Sequence, residues 1–390
     1  MKTNTESFIK YSYLGHCVND TYWFILPLLL PKILEEFGLS YGKAGGLLTV
    51  YLVIVSLFSF ILGRVSDTLP KWKILNAGFF LTFFAFILAG LSSSLVFLML
   101  FVSLGAIGVS AFHPIAYAML DEYSPKGKAR IFGHFECWGM IGLFFMFALN
   151  GILLSLFPWR TVLLATAFPS LIMGFIGLFR TAPPVKTKKT TEEPVSINPH
   201  TSPVLLLVFF LAVILRVIGV LGVLNFIPTF LMNDLAVEEH IAAFSAGFYF
   251  IGGMTGSIIG GKAGDKYGHL RILLLATMIC SPVILLLGSI RTLWIIPILL
   301  LILGFSSSGI SPNQNFIISK LGTGIGRGTT FGALVALLAL TNAFSPLIFG
   351  ASADIVGLSH TIQLFSIPMA LSFLIFVGLS ANSRFRRALN

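Results

Sequence analysis

Twelve apolar runs of roughly twenty residues, separated by polar loops, constrain the fold of this chain more than any other feature. They fall near 11–34, 44–64, 74–93, 95–119, 131–155 and 161–180, and again near 203–231, 241–262, 270–290, 293–319, 329–353 and 361–383. As a helix, a run of that length spans about 30 Å of hydrocarbon, where every backbone N–H and C=O must be satisfied within the segment. The pattern predicts an all-α membrane protein. Charged residues make up only 10% of the 390, against the usual quarter or so. The 38 Phe and 38 Gly suit large rings facing lipid and small residues at helix contacts. Cys17, Cys137 and Cys280 all lie inside apolar runs, which argues against a disulfide framework.

A formal charge of +10 is compatible with a nucleic-acid partner, but its placement is not. The basic residues occupy short loops between the runs, as topogenic charge does. If the N-terminus is cytoplasmic, one side collects Lys2, Lys10, Arg64, Lys71, Lys73, Lys126, Lys128, Arg130, Arg180, Lys186, Lys188, Lys189, Lys262, Lys266, Arg271, Lys320, Arg327, Arg384, Arg386 and Arg387. The other side keeps Lys32, Lys43, Arg160 and Arg291. This asymmetry predicts a multi-pass protein of the cytoplasmic membrane with both termini in the cytoplasm. Met1 to Lys10 has no cleavable-signal pattern, so insertion through the first run is expected. The one long polar stretch divides the chain into an N-terminal bundle over 1–181, a cytoplasmic linker over 182–202 and a C-terminal bundle over 203–390.

The two halves repeat each other. The loop after the second span reads Gly63-Arg-Val-Ser-Asp67-Thr-Leu-Pro70-Lys71-Trp-Lys73-Ile-Leu. The loop after the eighth reads Gly261-Lys-Ala-Gly-Asp265-Lys-Tyr-Gly-His-Leu-Arg271-Ile-Leu. Gly, Asp, a basic residue and Ile-Leu coincide at the same spacing, which points to a duplicated fold. This G-x-x-x-D loop, between helices 2 and 3 and again between 8 and 9, resembles the loop motif of the major facilitator superfamily. The resemblance extends over twelve spans, the central linker and the Trp159-Arg160 pair before the sixth span. It implies two pseudo-symmetric six-helix bundles that rock about a central site. It also implies a cytoplasmic latch formed from Gly63, Asp67, Lys73, Arg130, Gly261, Asp265, Arg271 and Arg327. In the first copy Pro70 stands where a Gly is usual. Gly350-x-x-x-Asp354-x-x-Gly357 mimics the motif but falls on the outer side, and is read as chance.

Two further segments, Gly15-His16-Cys-Val-Asn19-Asp20 and Val109-Ser-Ala-Phe112-His113-Pro114, resemble exporters of the fosmidomycin-resistance type. Ile115 stands where an acidic residue often follows the Pro, so a drug substrate is not implied.

Ionisable groups at membrane depth are costly, and so are functional candidates. Asp20 has His16 one turn earlier on the same helix face, and the two can share a proton. Its alternative use is a packing hydrogen bond, as for Asn19. Glu136 is a third proton candidate, or answers Arg130 near the interface. His113 precedes Pro114, which frees a backbone carbonyl and favours a kink. Arg216 lies near the middle of the seventh span and always carries charge. It either binds an anionic group of a substrate or pairs with Asp20. His113, Asn19, Asn225, Tyr249, Gln314 and Asn342 complete a candidate substrate site with Arg216. By the resemblance, spans 1, 4, 7 and 10 would bring Asp20, His113 and Arg216 to one cavity.

These observations favour a secondary transporter that exports a small polar or anionic organic compound by proton antiport, needs no cofactor and works as a monomer in the bilayer. A transition-metal transporter is the competing reading, since His16, Cys17, Asp20, His113 and Glu136 are of ligand type; no metal site is assigned, and Arg216 would repel a cation. A membrane enzyme or sensor is disfavoured by the absence of Walker, nucleophile-elbow, Cys-x-x-Cys and His-Glu-x-x-His motifs.

Overall fold

The computed structural model describes residues 2–123, 128–179, 203–321 and 327–389, and these are helical with no strands among them. The expected linker over 182–202 lies outside the described residues. The helices run as α1 (Lys2–Phe37), α2 (Tyr41–Val65), α3 (Lys71–Leu91), α4 (Leu95–Ser110), α5 (Phe112–Tyr123), α6 (Lys128–Leu156) and α7 (Trp159–Leu178). They continue as α8 (Pro203–Thr229), α9 (Glu239–Tyr267), α10 (His269–Ser289), α11 (Ile296–Leu321), α12 (Arg327–Val356), α13 (Leu358–Leu364), α14 (Ser366–Ala381) and α15 (Ser383–Leu389). Among the described residues eleven segments are long and apolar enough to cross a membrane, with α4 and α5 forming one of them. At 36 residues α1 is long enough, but His16, Asn19 and Asp20 lower its apolarity, as expected of a helix that carries a site.

Two expected spans change geometry beside a proline. Pro114 has no N–H to give the carbonyl of Ser110, so α4 stops there and α5 restarts at Phe112. The freed carbonyl accepts the Ser59 hydroxyl at 3.2 Å. After Pro228, α8 relaxes into a π-helical turn over Phe230–Asp234.

The chain divides into two compact units: residues 1–40, 46–188 and 231–247 form one, and 41–45, 189–230 and 248–390 the other. In the first, α1 packs on α6 and α7, and α3 on α4 and α7. In the second, α8 packs on α12 and α14, and α10 on α11 and α14. These are the same pairings at the same places in each half, so the repeat seen in the loops extends to the packing. The first core gathers Phe8, Tyr11, Leu75, Phe79, Phe112, Ile115, Met119, Phe135 and Met173. The second stacks Phe226 on Phe349 and packs Phe209 against Phe376. Large apolar side chains such as Phe60, Phe84, Phe145, Leu156, Phe168 and Leu374 remain exposed along the helices, as lipid-facing surface requires.

The two loop glycines are not crowded by their neighbours. A Cβ at Gly63 would meet Pro114 at 3.5 Å, and one at Gly261 would meet Pro312 at 3.7 Å. Both are ordinary van der Waals contacts, so close approach does not require glycine there. The repeat is nonetheless preserved, since each glycine faces a proline at the same interval. The tight crossings lie elsewhere: a Cβ at Gly142 would overlap the backbone of Cys17, and one at Gly304 that of Tyr249.

Candidate functional site

In the first unit the helical spacing of α1 sets His16 and Asp20 one turn apart, and the α4–α5 break brings His113 to the same carboxylate. His16 Nε2 lies 3.1 Å from Asp20 Oδ2, and His113 Nε2 lies 3.0 Å from Asp20 Oδ1. The two imidazole rings stand edge-on with centroids 5.0 Å apart. The ring of Phe135, on α6, stacks on His16 at 3.9 Å. His16 is 2% exposed, whereas Asp20 and His113 retain 16% and 26% of their side-chain surface, so the cluster is enclosed on one side and reachable from the other.

Proton counting constrains this cluster. His16 Nδ1 sits 2.6 Å from the backbone carbonyl of Phe135, which can only accept, so Nδ1 carries a hydrogen. If Nε2 were bare and Asp20 ionised, two lone pairs would face each other at 3.1 Å. The contact is therefore sound only when the His16–Asp20 pair holds one proton more, on either partner. On losing that proton, the pair turns from attractive to repulsive at fixed geometry. Asp20 Oδ1 is buried without a well-aligned hydrogen bond, so its approach to His113 is a second place for a proton to settle. Among the described residues, these three are also the group whose donor atoms lie close enough, within 4.8 Å, to hold a cation.

The site is shaped by a residue that no charge pattern reveals. A Cβ at Gly139 would lie 2.7 Å from Asp20 Oδ2 and 2.8 Å from the His16 ring. Gly139 and Gly142 thus leave room for α1 and its pair against α6, and the only sequence trace is a Gly-x-x-Gly step. Cys17 donates its thiol to the Trp138 carbonyl at 2.8 Å in the same seam. Glu136 is exposed and accepts the hydroxyl of Tyr117, whose ring stacks on His113 at 6.2 Å. It therefore touches Tyr117 and not the His16–Asp20 pair itself. The Nδ2 of Asn19 is buried without a partner.

The remaining candidates belong to the second unit. Arg216 is 8% exposed and donates from Nη2 to Gln314 Oε1 at 3.0 Å. Its Nε is buried without a partner, and none of the ion pairs among the described residues includes it. Arg216 lines a cavity of about 320 Å³ bounded by α8, α9, α11 and α12. Tyr249 and Asn342 line it as well, with Ser307, Ser308 and Ser311. The Tyr249 hydroxyl meets Ser307 Oγ at 2.9 Å. Asn225 turns back to the Leu221 carbonyl of its own helix and is not among the lining residues.

Of the loop residues, Asp67, Lys73 and Arg271 are exposed, and the side chains of Arg130 and Arg327 lie outside the described ones. Asp265 lies 3.5 Å from His269, whose Nδ1 meets Asn313 Oδ1 at 2.9 Å. Asn313 in turn donates to the carbonyls of Gly260 and Gly309, tying the loop to α9 and α11. The outer Gly-x-x-x-Asp segment is not idle. The Asp354 carboxylate accepts the N–H of Tyr41 at 2.7 Å and that of Gly42 at 2.9 Å, capping the first turn of α2.

Comparison with known proteins gives a consistent result. A sequence model of the Major Facilitator Superfamily matches residues 12–333. The uncharacterized MFS-type transporter YceJ of Bacillus subtilis strain 168 is 26% identical over 343 residues, covering 80% of this chain and 84% of that protein. The fosmidomycin resistance protein of Escherichia coli K12 is 22% identical over 298 residues, covering 75% and 73%. A bacterial homolog of the human lysosomal transporter Spinster, solved in an inward-facing and occupied conformation, shares the fold with a TM-score of 0.82 at 16% identity, covering 97% of each chain.

Proposed function

Because the chain belongs to the major facilitator superfamily and is a multi-pass membrane transporter for a small molecule, we propose that it works by alternating access and exports a polar or anionic organic compound in exchange for protons. The observation that carries the proton part is the 2.6 Å approach of His16 Nδ1 to the Phe135 carbonyl, which calls for a hydrogen on Nδ1. With that hydrogen fixed, the 3.1 Å approach of His16 to Asp20 depends on one exchangeable proton. Proton occupancy then biases how α1 sits against α6, which is what coupling needs: a ligand that stabilises one arrangement over another. His113 serves as the second imidazole of this relay, with Tyr117 and Glu136 as its route to water. The deeply buried guanidinium of Arg216, without a counter-charge among the described residues, supports an anion-binding role in the other unit. The resistance activity in the name of the Escherichia coli relative supports export.

In this reading the bundles 1–181 and 203–390 are the moving halves, and the paired Gly-x-x-x-Asp loops latch the cytoplasmic side. The protein resides in the cytoplasmic membrane as a monomer with both termini inside, and performs no covalent chemistry on its cargo. A transition-metal cargo is the second reading, favoured by the His16–Asp20–His113 donor set. Both are tested by flux into proteoliposomes of purified protein, using a panel of organic acids, antibiotics and divalent metals at two external pH values. Uphill movement of an organic solute into an acidic interior supports the proposal. Flux that ignores the pH difference, or is confined to the metals, overturns it.

A further inference from the structure

The cavity beside Arg216 says more about cargo than the fold does, and the following rests on the transport reading above. We propose that it seats a monoanionic organic acid with an apolar body. The cavity lies wholly in the second unit, and its volume of about 320 Å³ is at the lower end of the roughly 300–1,000 Å³ that small-molecule sites occupy. Its lining is divided by chemistry. Val217, Val220 and Leu221 from α8 and Leu338 and Ala339 from α12 supply an apolar wall. Tyr249 from α9 and the serines of α11 supply hydroxyls next to the guanidinium.

Charge balance selects among cargoes. Of the five guanidinium N–H groups, one goes to Gln314, and the Nε–H is buried with no partner. A single carboxylate or comparable monoanion satisfies those donors in a charge-assisted pair and leaves the site neutral. A dianion leaves an uncompensated negative charge beside the buried guanidinium, and a neutral sugar leaves the arginine uncompensated. An amino acid is disfavoured too, because the described residues of the lining include no Asp, Glu or His to meet its ammonium group. The five aliphatic side chains exclude a purely polar anion, whose far end would lose its water to an apolar wall.

The test is equilibrium binding to the purified full-length protein in detergent, by calorimetry and by shift of the melting midpoint. The probes are benzoate, octanoate, acetate, benzamide and inorganic phosphate. Benzoate and octanoate are expected to bind, with benzamide and acetate weaker by roughly tenfold or more, the scale of one charge-assisted hydrogen bond or of a lost apolar contact. Arg216→Gln should lose benzoate binding without a lower melting midpoint, since it removes a buried unpaired charge. Arg216→Lys should keep part of the binding. Ala339→Phe, which fills the cavity and leaves the charge alone, should block benzoate. The proposal is overturned if benzamide matches benzoate, if phosphate binds best, if no probe binds, or if benzoate binds Arg216→Gln or Ala339→Phe as it binds the native chain. Benzoate binding without proton-driven flux would count against the coupling reading and leave this site standing. Proton-driven flux of solutes that never bind here would do the reverse.

Discussion

Replacing Asp20 by Asn separates coupling from transport. In the native chain Asp20 faces imidazole nitrogens at 3.1 and 3.0 Å, and the first contact depends on a shared proton. Asn is nearly isosteric, and its Nδ2–H can donate to the bare Nε2 of His16, so Asp20→Asn imitates the protonated pair without being able to discharge it. The fold should survive, with a cost of about 1 kcal/mol or less, because no buried group loses its partner. The coupling should not. If one proton is exchanged per solute and the membrane potential is clamped, one pH unit is worth about 1.4 kcal/mol, or roughly tenfold accumulation of solute in an acidic interior. The assay is uptake of a transported organic acid by proteoliposomes loaded at low pH, where passive distribution of a weak acid runs the other way. Asp20→Asn should exchange labelled for unlabelled solute at a rate near that of the native protein, yet accumulate none. Retention of tenfold accumulation, or of the native pH profile, would refute the assignment.

Other outcomes follow from the same geometry. Gly139→Ala should disturb the pair directly, since its Cβ would lie 2.7 Å from Asp20 Oδ2; proton-driven uptake should fall while exchange persists. Gly142→Leu forces α1 off α6 and should destabilise by about 1–3 kcal/mol or more, seen as a lower melting midpoint in detergent. Asp354→Ala strips two backbone N–H groups at the start of α2 of their acceptor and should cost on the order of 1 kcal/mol in thermal stability, with Asp354→Asn recovering part of it. If the cargo is a monoanion exchanged for one proton, each cycle moves two charges, so a potential of about 60 mV should change accumulation about a hundredfold; for a neutral cargo it should be about tenfold.

Much of this molecule is legible from local patterns. Hydropathy is a property of contiguous residues, so the spans can be read directly, as can the kink at Pro114, and the duplicated loop announces the duplicated packing; the turn after Pro228 cannot, since Pro169, Pro282 and Pro312 lie inside unbroken helices. The His16–Asp20 pair is legible because i and i+4 share a helix face. His113 is only half legible. Its depth and its proline are visible in the sequence, which places it with the substrate-binding residues, whereas in the folded chain it meets Asp20. Glu136 is visible in the sequence as an acid within a span, but its contact with Tyr117 is not. The roles of Phe135 and Gly139 are invisible in sequence because each acts across a helix seam: a carbonyl and a missing methyl carry no pattern of their own. In the sequence Asp354 reads as a chance match to the loop motif. Its work as a cap depends on a residue more than three hundred positions away in the chain. Arg216, by contrast, declares itself, since a guanidinium in an apolar span has few bland uses.

The central claim is that solute movement and proton movement are one process. Its most direct test is to measure both at once, with native protein in liposomes that carry a pH-sensitive dye inside and a clamped membrane potential. Addition of a transported organic acid on one side should drive protons the opposite way, in a fixed ratio to solute and near one to one. Asp20→Asn should carry the solute in exchange without any dye signal. Sustained solute flux through the native protein with no accompanying proton movement would contradict the account.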